Sequence, residues 1–331
     1  MIRSLAARAR RSLHGHYWTY AGFVLSQLTP PAPLDDVPVR IDARAEGDRA
    51  ITLSARFTDR PQSDTCVLVL HGLGGDVSSR YVQLATHAAR ARGVSVLRLG
   101  FRGADLEGAD VYHAGLLDDV RAALASPLLS RFSRLEIVGY SMGGHITLSY
   151  AASRERDPRV AAVAAVCAPL DLAAGVRAIQ RPDRRPYQFH VLRSLKAAYR
   201  KVEERAEREG RTLPHTADEV DRATTIRDWD ALVVCPRFGF RDPEHYYESC
   251  SAGPKLASIE VPTLLAIAEA DPMVPLATLH PWIERTSDAI TTWRYERGGH
   301  VAFPAGARRD TVSVEDELVA WLAERGSTES A

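Results

Sequence analysis

The sequence LEIVGYSMGGHITLSYAA, residues 135–152, decides the fold. An apolar run typical of a buried strand leads into Gly139-Tyr140-Ser141-Met142-Gly143 and then into a helical pattern. This pentapeptide matches G-x-S-x-G, a tight strand-to-helix turn that exposes the serine hydroxyl above the edge of a sheet. Glycines on either side of the turn avoid collisions that larger residues would make there. Ser141 is therefore the predicted nucleophile of a catalytic site.

Short β-rich runs and helical patterns alternate on both sides of this turn. The predicted strands outside it cover residues 66–70, 94–99, 160–166, 263–268 and 290–295. Predicted helices cover residues 79–92, 116–129 and 314–325. Such alternation is typical of βαβ units, and continuous apolar runs are typical of parallel strands buried on both faces. The sequence therefore predicts an α/β protein with a mostly parallel central sheet flanked by helices.

Three further segments complete the predicted organisation. Residues 39–57 alternate in the manner of an antiparallel hairpin that turns near Gly47 and Asp48. No strand pattern of comparable strength occurs between residues 173 and 258, where residues 191–211 predict one long charged helix. We therefore divide the chain into an N-terminal segment, a core in two pieces and a mainly helical cap insertion. The N-terminal segment covers residues 1–38, the core covers 39–172 and 259–331, and the cap insertion covers 173–258.

The serine needs a base, and the base needs a carboxylate that fixes its tautomer. His300 follows the last predicted strand, and Asp271 follows the strand before it. Both therefore belong at the carboxyl edge of the sheet, where open α/β sheets bind ligands. Glu269 is the nearest rival of Asp271, but strand alternation predicts that it lies buried beside the sheet or faces a helix. The order Ser, Asp, His is that of the α/β-hydrolase fold, which we predict for this chain.

Two backbone amides are candidates for an oxyanion hole. The Met142 amide directly follows the nucleophile, and the second donor is expected in His71-Gly72-Leu73-Gly74-Gly75, with the Leu73 amide favoured. His71 itself is predicted to brace this loop. A phosphate-binding role for the loop is disfavoured because no Lys-Ser/Thr pair follows it.

Other polar residues have simpler interpretations. The adjacent acids Asp118 and Asp119 begin a predicted helix, so we expect them to face solvent and the helix dipole. His145 is predicted to be a packing residue. The four cysteines lack metal-ligand or redox spacing and predict buried, reduced thiols, which fits a cytoplasmic location.

The composition and the N-terminus limit the partners. Lys plus Arg and Asp plus Glu both number 42, and this balance argues against nucleic acid as the main partner. The first eleven residues are arginine-rich, and residues 17–28 are mostly apolar. Pro30 and Pro31 end this stretch too early for a membrane span, and no cleavage site marks a signal peptide. We expect a helix that packs on the domain; the alternative is peripheral contact with an anionic membrane.

Several sequence blocks carry a family resemblance. They are HGLGG at 71–75, Ser79-Arg80-Tyr81, Phe101-Arg102-Gly103, Tyr112-His113-Ala114-Gly115, Asp118-Asp119 and Gly139 to Gly144. Together they resemble the YheT-like branch of the α/β-hydrolases, which includes embryogenesis-associated and lipid-active eukaryotic members. The chain has Ala270-Asp271-Pro272 where that family usually has paired aspartates before the proline. The resemblance implies hydrolysis of carboxylic esters with acyl or lipid-like groups, without metal or organic cofactor.

These observations define one leading hypothesis and two alternatives. The leading one is a serine esterase that forms an acyl-serine intermediate at Ser141 and acts on small ester or lipid molecules. An acyltransferase would use the same triad but pass the acyl group to an alcohol or thiol. The third reading is a hydrolase-fold protein that binds lipid or a partner without catalysis. In each case the cap insertion is expected to shape the pocket.

Overall fold

An eight-stranded sheet lies at the centre of the computed structural model, which describes residues 2–44, 50–308 and 312–326. Its order is β1-β2-β4-β3-β5-β6-β7-β8. Strands β1 and β2 form an antiparallel hairpin, β2 is antiparallel to β4, and all other neighbours are parallel. The strands are β1 (Val37–Arg44), β2 (Ala50–Thr58), β3 (Thr65–Leu70), β4 (Ser95–Leu99), β5 (Arg134–Tyr140), β6 (Val160–Val166), β7 (Thr263–Ala268) and β8 (Ile290–Tyr295). The predicted mostly parallel sheet is confirmed.

Both faces of the sheet are covered, which explains the continuous apolar runs. All six residues of β3 are buried. Its alternate side chains point to opposite faces, so Leu68 and Leu70 join one hydrophobic cluster while Val67 and Val69 join the other. The predicted hairpin is present, and its expected turn at Gly47 and Asp48 lies outside the described residues.

Outside the segment between β6 and β7 the predicted helices are present with shifts at their ends, and one helix that was not predicted lies between β7 and β8. These helices are α1 (Ile2–Leu28), α2 (Arg80–Ala91), α3 (Asp118–Ala125), α4 (Met142–Ala151), α11 (Leu276–Ile283) and α12 (Val314–Gly326). Helix α3 is shorter than the predicted 116–129 because Pro127 starts a separate 3₁₀ turn, Pro127–Leu129. Helices α2 and α12 contribute Val82, Ala85, Leu318 and Leu322 to the cluster on one face of the sheet.

The segment between β6 and β7 is helical. It contains α5 (Leu172–Ile179), α6 (Arg185–Arg208), α7 (Ala217–Val220), α8 (Ile226–Trp229), α9 (Cys235–Phe238) and α10 (Pro243–Cys250). A π-helical turn, Asp230–Val234, separates α8 from α9. Helix α6 is the predicted charged helix, but it begins earlier than residue 191 because Pro186 fits within the first helical turn.

Helix α1 packs on the core through small residues, as expected. A Cβ atom added to Gly15 would lie 1.7 Å from the Ala270 carbonyl oxygen, and one added to Gly22 would lie 2.6 Å from Ala302 Cβ. The two glycines therefore allow α1 to pack closely against the segments that follow β7 and β8. No helix among residues 2–44, 50–308 and 312–326 combines the length and apolar character needed to cross a bilayer.

The interpretation of the two adjacent acids was correct for Asp118 and wrong for Asp119. The Asp118 side chain is 52% exposed and pairs with Arg121 at 3.0 Å. The Asp119 side chain is 0% exposed and accepts from the Arg102 guanidinium at 2.5 and 2.9 Å and from the Arg102 backbone N–H at 3.0 Å. Neighbouring residues on a helix point about 100° apart, so one acid faces solvent while the next anchors the turn after β4.

This pair of acids gives a matched test of the buried ion pair. Asp119→Ala removes the hydrogen-bonded carboxylate of the buried Arg102 guanidinium and leaves Asp110, 3.8 Å away, as a carboxylate neighbour; it is expected to lower the free energy of unfolding by about 3–5 kcal/mol. Asp118→Ala removes one exposed ion pair and should change it by less than about 1 kcal/mol. Urea denaturation of both variants measures the difference. Equal destabilisation by the two substitutions would contradict the assignment.

Candidate active site

The backbone at Ser141 has the geometry that the G-x-S-x-G pattern requires. Strand β5 ends at Tyr140, α4 begins at Met142, and Ser141 between them has φ 54° and ψ −117°. A Cβ atom on Gly139 would lie 2.2 Å from the Gly143 carbonyl oxygen, and one on Gly143 would lie 2.5 Å from the His71 carbonyl oxygen. Larger residues at either position would therefore collide with backbone, and the turn could not form.

Three of the residues singled out from the sequence form one hydrogen-bonded chain. His300 Nε2 lies 2.9 Å from Ser141 Oγ, and His300 Nδ1 lies 2.8 Å from Asp271 Oδ2. The other carboxylate oxygen, Asp271 Oδ1, accepts from the Met273 and Val274 amides at 2.8 and 2.9 Å. Asp271 and His300 are buried on the segments after β7 and β8. This arrangement can move a proton from the serine hydroxyl to the imidazole.

Glu269, the rival acid, is not fully buried, which contradicts the first of the two environments expected for it. Its backbone N–H donates to the Tyr295 carbonyl at 2.9 Å, and its side chain is partly exposed instead of buried beside the sheet. The strand β7 ends at Ala268, so the alternation of buried and exposed positions no longer applies at residue 269.

The loop 71–75 passes next to Ser141. A Cβ atom on Gly72 would lie 3.1 Å from Ser141 Cβ. Tyrosine hydroxyls accept from the amides on either side of Leu73: the Gly72 amide donates to Tyr81 at 3.0 Å and the Gly74 amide to Tyr112 at 2.8 Å. Within the described residues the Leu73 amide has no such acceptor. Met142 begins α4, so its amide also has no acceptor within the helix.

Two buried histidines near the site hold backbone segments. His71 Nδ1 donates to the Gly72 carbonyl at 2.8 Å while its Nε2 accepts from the Phe101 amide at 3.2 Å. Burial lowers the pKa of His71, which keeps the ring in the neutral form that this pattern requires. His145 contacts the carbonyl oxygens of Pro169 and Cys250 at 2.7 and 2.9 Å. The expectations that His71 braces the loop and that His145 packs in the core are confirmed.

Helix α1 contributes a contact that the sequence did not predict. Thr19 Oγ1 accepts from the His300 backbone N–H at 2.8 Å and donates to the Gly15 carbonyl at 2.8 Å. A Cβ atom on Gly299 would lie 2.4 Å from both Thr19 Oγ1 and the Gly15 carbonyl oxygen. The one signal for this contact is the spacing of Gly15, Thr19 and Gly22, which places three small residues on one helical face.

The hydroxyl of Ser141 opens into a cavity of about 800 Å³. Residues from α1, from the 71–75 loop and from the helical segment after β6 line it. Its apolar lining includes Leu25, Leu73, Leu172, Val176, Ile179 and Ile226. His113, which also lines it, accepts from the Gly115 amide at 3.1 Å, and burial lowers the pKa of His113 to about 3, so the ring stays neutral. The cavity therefore suits an apolar ligand.

All four cysteines are buried and free, as expected. One of them, Cys167, lies with Asp271 and His300 in a group of ligand-type atoms within 4.8 Å of one another. The carboxylate and the imidazole in this group already hydrogen-bond to each other. Burial raises the pKa of the Cys167 thiol, so the thiolate that a metal would need is disfavoured.

The chain resembles known hydrolases in sequence and structure. YheT of Escherichia coli K12, named as a candidate esterase, is 32% identical over 263 residues, which cover 77% of this chain and 76% of YheT. The monoacylglycerol lipase of Saccharomyces cerevisiae is 23% identical over 220 residues, covering 63% of this chain and 48% of the lipase. An esterase of Pyrococcus furiosus has the same fold, with a TM-score of 0.55 and 15% identity over 89% of this chain and 90% of the esterase.

The family assignment rests on the extent of these matches. A family model described as the alpha/beta hydrolase fold matches residues 65–307, which is most of the chain. That region contains the strands β3 to β8 and the chain of hydrogen bonds from Ser141 to Asp271. The protein is thus an esterase-like member of the α/β-hydrolase family and belongs to its YheT-like branch.

Proposed function

We propose that the protein hydrolyses carboxylic esters with acyl or lipid-like groups through an acyl-serine intermediate on Ser141. The observation that carries the proposal is the hydrogen-bonded chain from Ser141 through His300 to Asp271, which opens into an apolar cavity. A serine hydroxyl becomes a useful nucleophile when a neighbouring base accepts its proton, and the 2.9 Å contact to His300 Nε2 provides that base.

The proposed reaction has two stages. Ser141 Oγ attacks the ester carbonyl carbon while its proton passes to His300 Nε2, and the imidazolium then protonates the departing alcohol oxygen. Water next attacks the acyl-serine: His300 accepts one of its protons and returns it to Ser141 Oγ as the acid is released. Throughout, Asp271 Oδ2 stabilises the positive imidazole through the Nδ1 hydrogen bond.

We assign the oxyanion hole to the amides of Leu73 and Met142. Support comes from the loop, where Tyr81 and Tyr112 occupy the Gly72 and Gly74 amides and leave the Leu73 amide for a ligand. The amide of Met142 is at the positive end of α4 and directly follows the nucleophile. Each donor of this kind lowers the barrier by about 2.7–4 kcal/mol in serine hydrolases.

The cavity supports an acyl or lipid-like substrate. Its volume of about 800 Å³ falls in the range of small-molecule sites, and aliphatic side chains dominate its wall. The helices between β6 and β7, which correspond to the proposed cap insertion at 173–258, supply Val176, Ile179 and Ile226 to that wall. Similarity to a yeast protein named monoacylglycerol lipase agrees with this substrate class.

Replacing the nucleophile tests the proposal directly. Ser141→Ala should lower kcat for a short p-nitrophenyl ester by a factor on the order of 10⁵ or more, because the hydroxyl forms the acyl intermediate. A fluorophosphonate probe should label the wild type and not the variant. The matched control is Ser149→Ala on the same helix, since the buried Ser149 hydroxyl has no hydrogen-bond partner in the described residues. Undiminished turnover by folded Ser141→Ala would overturn the proposal.

The contact between α1 and the His300 backbone should also affect turnover. Thr19→Val keeps the side-chain shape but removes the acceptor of the His300 amide, and a small misplacement of the base is expected to lower kcat by about 10–100-fold. Thr19→Ser retains the hydroxyl and should stay within about threefold of the wild type, since its hydrogen bond remains. Steady-state kinetics separate this loss in kcat from a change in KM. Equal kcat for the valine and serine variants would show that the contact does not position His300.

We propose further that α1 rests on an anionic lipid surface beside the cavity. Its exposed apolar side chains include Leu13 and Leu28, at 70% and 74% exposure, with Tyr17, Tyr20 and Val24 between them. Their spacing of three or four residues places them on one helical face. Tyr20 both lines the cavity and is exposed, so this face borders the cavity mouth. The sequence before it, Met1 to Arg11, contains four arginines and no acid, which suits anionic lipid.

Sedimentation with liposomes measures whether the protein binds lipid through this face of α1. The wild type should pellet with vesicles that contain phosphatidylserine and less with pure phosphatidylcholine. The double substitution Leu13→Asp with Leu28→Asp should weaken binding at least about tenfold, because each buried leucine contributes about 1.5–3 kcal/mol. Neither residue lines the cavity, so hydrolysis of a short soluble ester should be unchanged. Failure of the wild type to pellet with either vesicle contradicts the lipid proposal.

We propose a cytoplasmic location on the evidence of the thiols. All four cysteines are free and buried, and burial raises the pKa of Cys66, Cys167, Cys235 and Cys250. Free thiols persist in reducing compartments. Fractionation of the native cells tests this location, and recovery of the protein from an oxidising compartment would contradict it.

A further inference from the structure

The cavity lining includes three carboxyl groups that the triad does not use, those of Asp76, Asp230 and Glu315, and Asp230 lies on its helical wall. Asp230 is the first residue of the π-helical turn that follows α8, and its side chain is only 5% exposed. Turns of this kind are rare and frequently occur at functional sites. The neighbouring cavity residues Trp229 and Val234 are apolar or aromatic, so Asp230 is a polar group within an apolar wall.

The carboxyl group of Asp230 has few partners. The Tyr247 hydroxyl donates to its Oδ2 atom at 2.6 Å. Across residues 2–44, 50–308 and 312–326 no other side chain or backbone amide donates to this carboxylate, and no Lys or Arg pairs with it. Burying a carboxyl group without a cation is unfavourable, so its presence in the cavity wall calls for a reason other than stability.

Several other polar groups in the cavity wall hold parts of the backbone in place. Four of them accept a hydrogen bond from a backbone amide and so hold a loop in place: Tyr81, Tyr112, His113 and Tyr246. Asp230 holds no backbone amide; its one hydrogen bond joins it to Tyr247, which also lines the cavity. Its second oxygen therefore remains available to a molecule in the cavity.

The protonation of Asp230 indicates which chemical group would bind there. Burial raises the pKa of Asp230 to about 7, against the opposing effect of the Tyr247 hydrogen bond. Both forms are then present near neutral pH. A hydroxyl group donates to the ionised form and accepts from the protonated form, whereas an ammonium group pairs with the ionised form alone. A hydroxyl group is therefore the ligand that can bind beside Tyr247 to either protonation form of Asp230.

We propose that Asp230 and Tyr247 form a polar subsite that binds a hydroxyl group of the substrate. The enzyme would then prefer hydroxylated esters to plain esters of equal acyl length. The hydroxyl can come from the alcohol, as in a monoacylglycerol, or from the acyl chain, as in a hydroxy fatty acid ester. The inference rests on the proposed function, because subsite and triad share one cavity.

Three esters of equal acyl length test the subsite: a monoacylglycerol, the methyl ester of a hydroxy fatty acid and the plain methyl ester. The wild type should show a higher kcat/KM for one hydroxylated ester, and that ester identifies the source of the hydroxyl. Asp230→Leu combined with Tyr247→Phe replaces both hydrogen-bond partners by apolar groups, so neither partner is left buried without a hydrogen bond. This variant should lose at least about tenfold in kcat/KM for the preferred ester, through KM, and little for the plain ester. Asp230→Asn, which can still bond a hydroxyl, should retain part of the preference.

Two results overturn the subsite: no preference in the wild type, or an equal loss for all three esters in the double variant. Failure of the proposed function looks different, because the wild type would then cleave none of the esters and resist fluorophosphonate. The subsite is still measurable in that event by ligand-induced shifts in Tm. The preferred hydroxylated ester should raise Tm more than the plain ester does, and the double variant should abolish this difference. Equal shifts in the wild type would also reject the subsite.

Discussion

The rest of the site depends on the tight turn at Ser141. A non-glycine residue at φ 54° is strained by about 1–3 kcal/mol and persists only where its surroundings fix it. Here β5 is hydrogen-bonded to β3 on one side and to β6 on the other, and α4 packs directly after the turn. The backbone of Gly143 in turn abuts the His71 carbonyl, so the same turn fixes the distance between the serine and the 71–75 loop.

The two partners of Ser141 come from distant parts of the chain, and the sheet brings them together. Strands β7 and β8 are parallel neighbours, so the segments that follow them leave the sheet at the same edge as Ser141. Asp271 is held there by two amides and by His300, while the His300 backbone is held by Thr19. The hydrogen bonds of the site are therefore formed on folding, before any ligand arrives, and this is the condition for preorganised catalysis.

The sequence allowed prediction of the features that follow from local patterns. Buried strands appear in the sequence as apolar runs, and the serine turn appears as glycines at fixed spacing. The sheet and the residues Ser141, Asp271 and His300 could therefore be predicted. The environment of Asp119 was not, because a pair of adjacent acids does not reveal which side of the helix the core covers. Asp230 escaped notice for a related reason: no motif marks it, and its cavity arises only when the helices after β6 pack over the sheet.

Helix α1 lines the cavity and also holds the backbone of His300, the proposed base. One face of it carries Gly15, Thr19 and Gly22 against the segments of Asp271 and His300, and the opposite face is apolar and exposed. A lipid surface that contacts the exposed face would therefore act on the same rigid element that accepts the His300 amide. Displacement of α1 away from the core would both widen the cavity and remove the hydrogen bond to the His300 amide, because α1 forms part of the cavity wall and carries Thr19. The proposed membrane contact and the geometry around His300 would in this way be linked through one element of the fold.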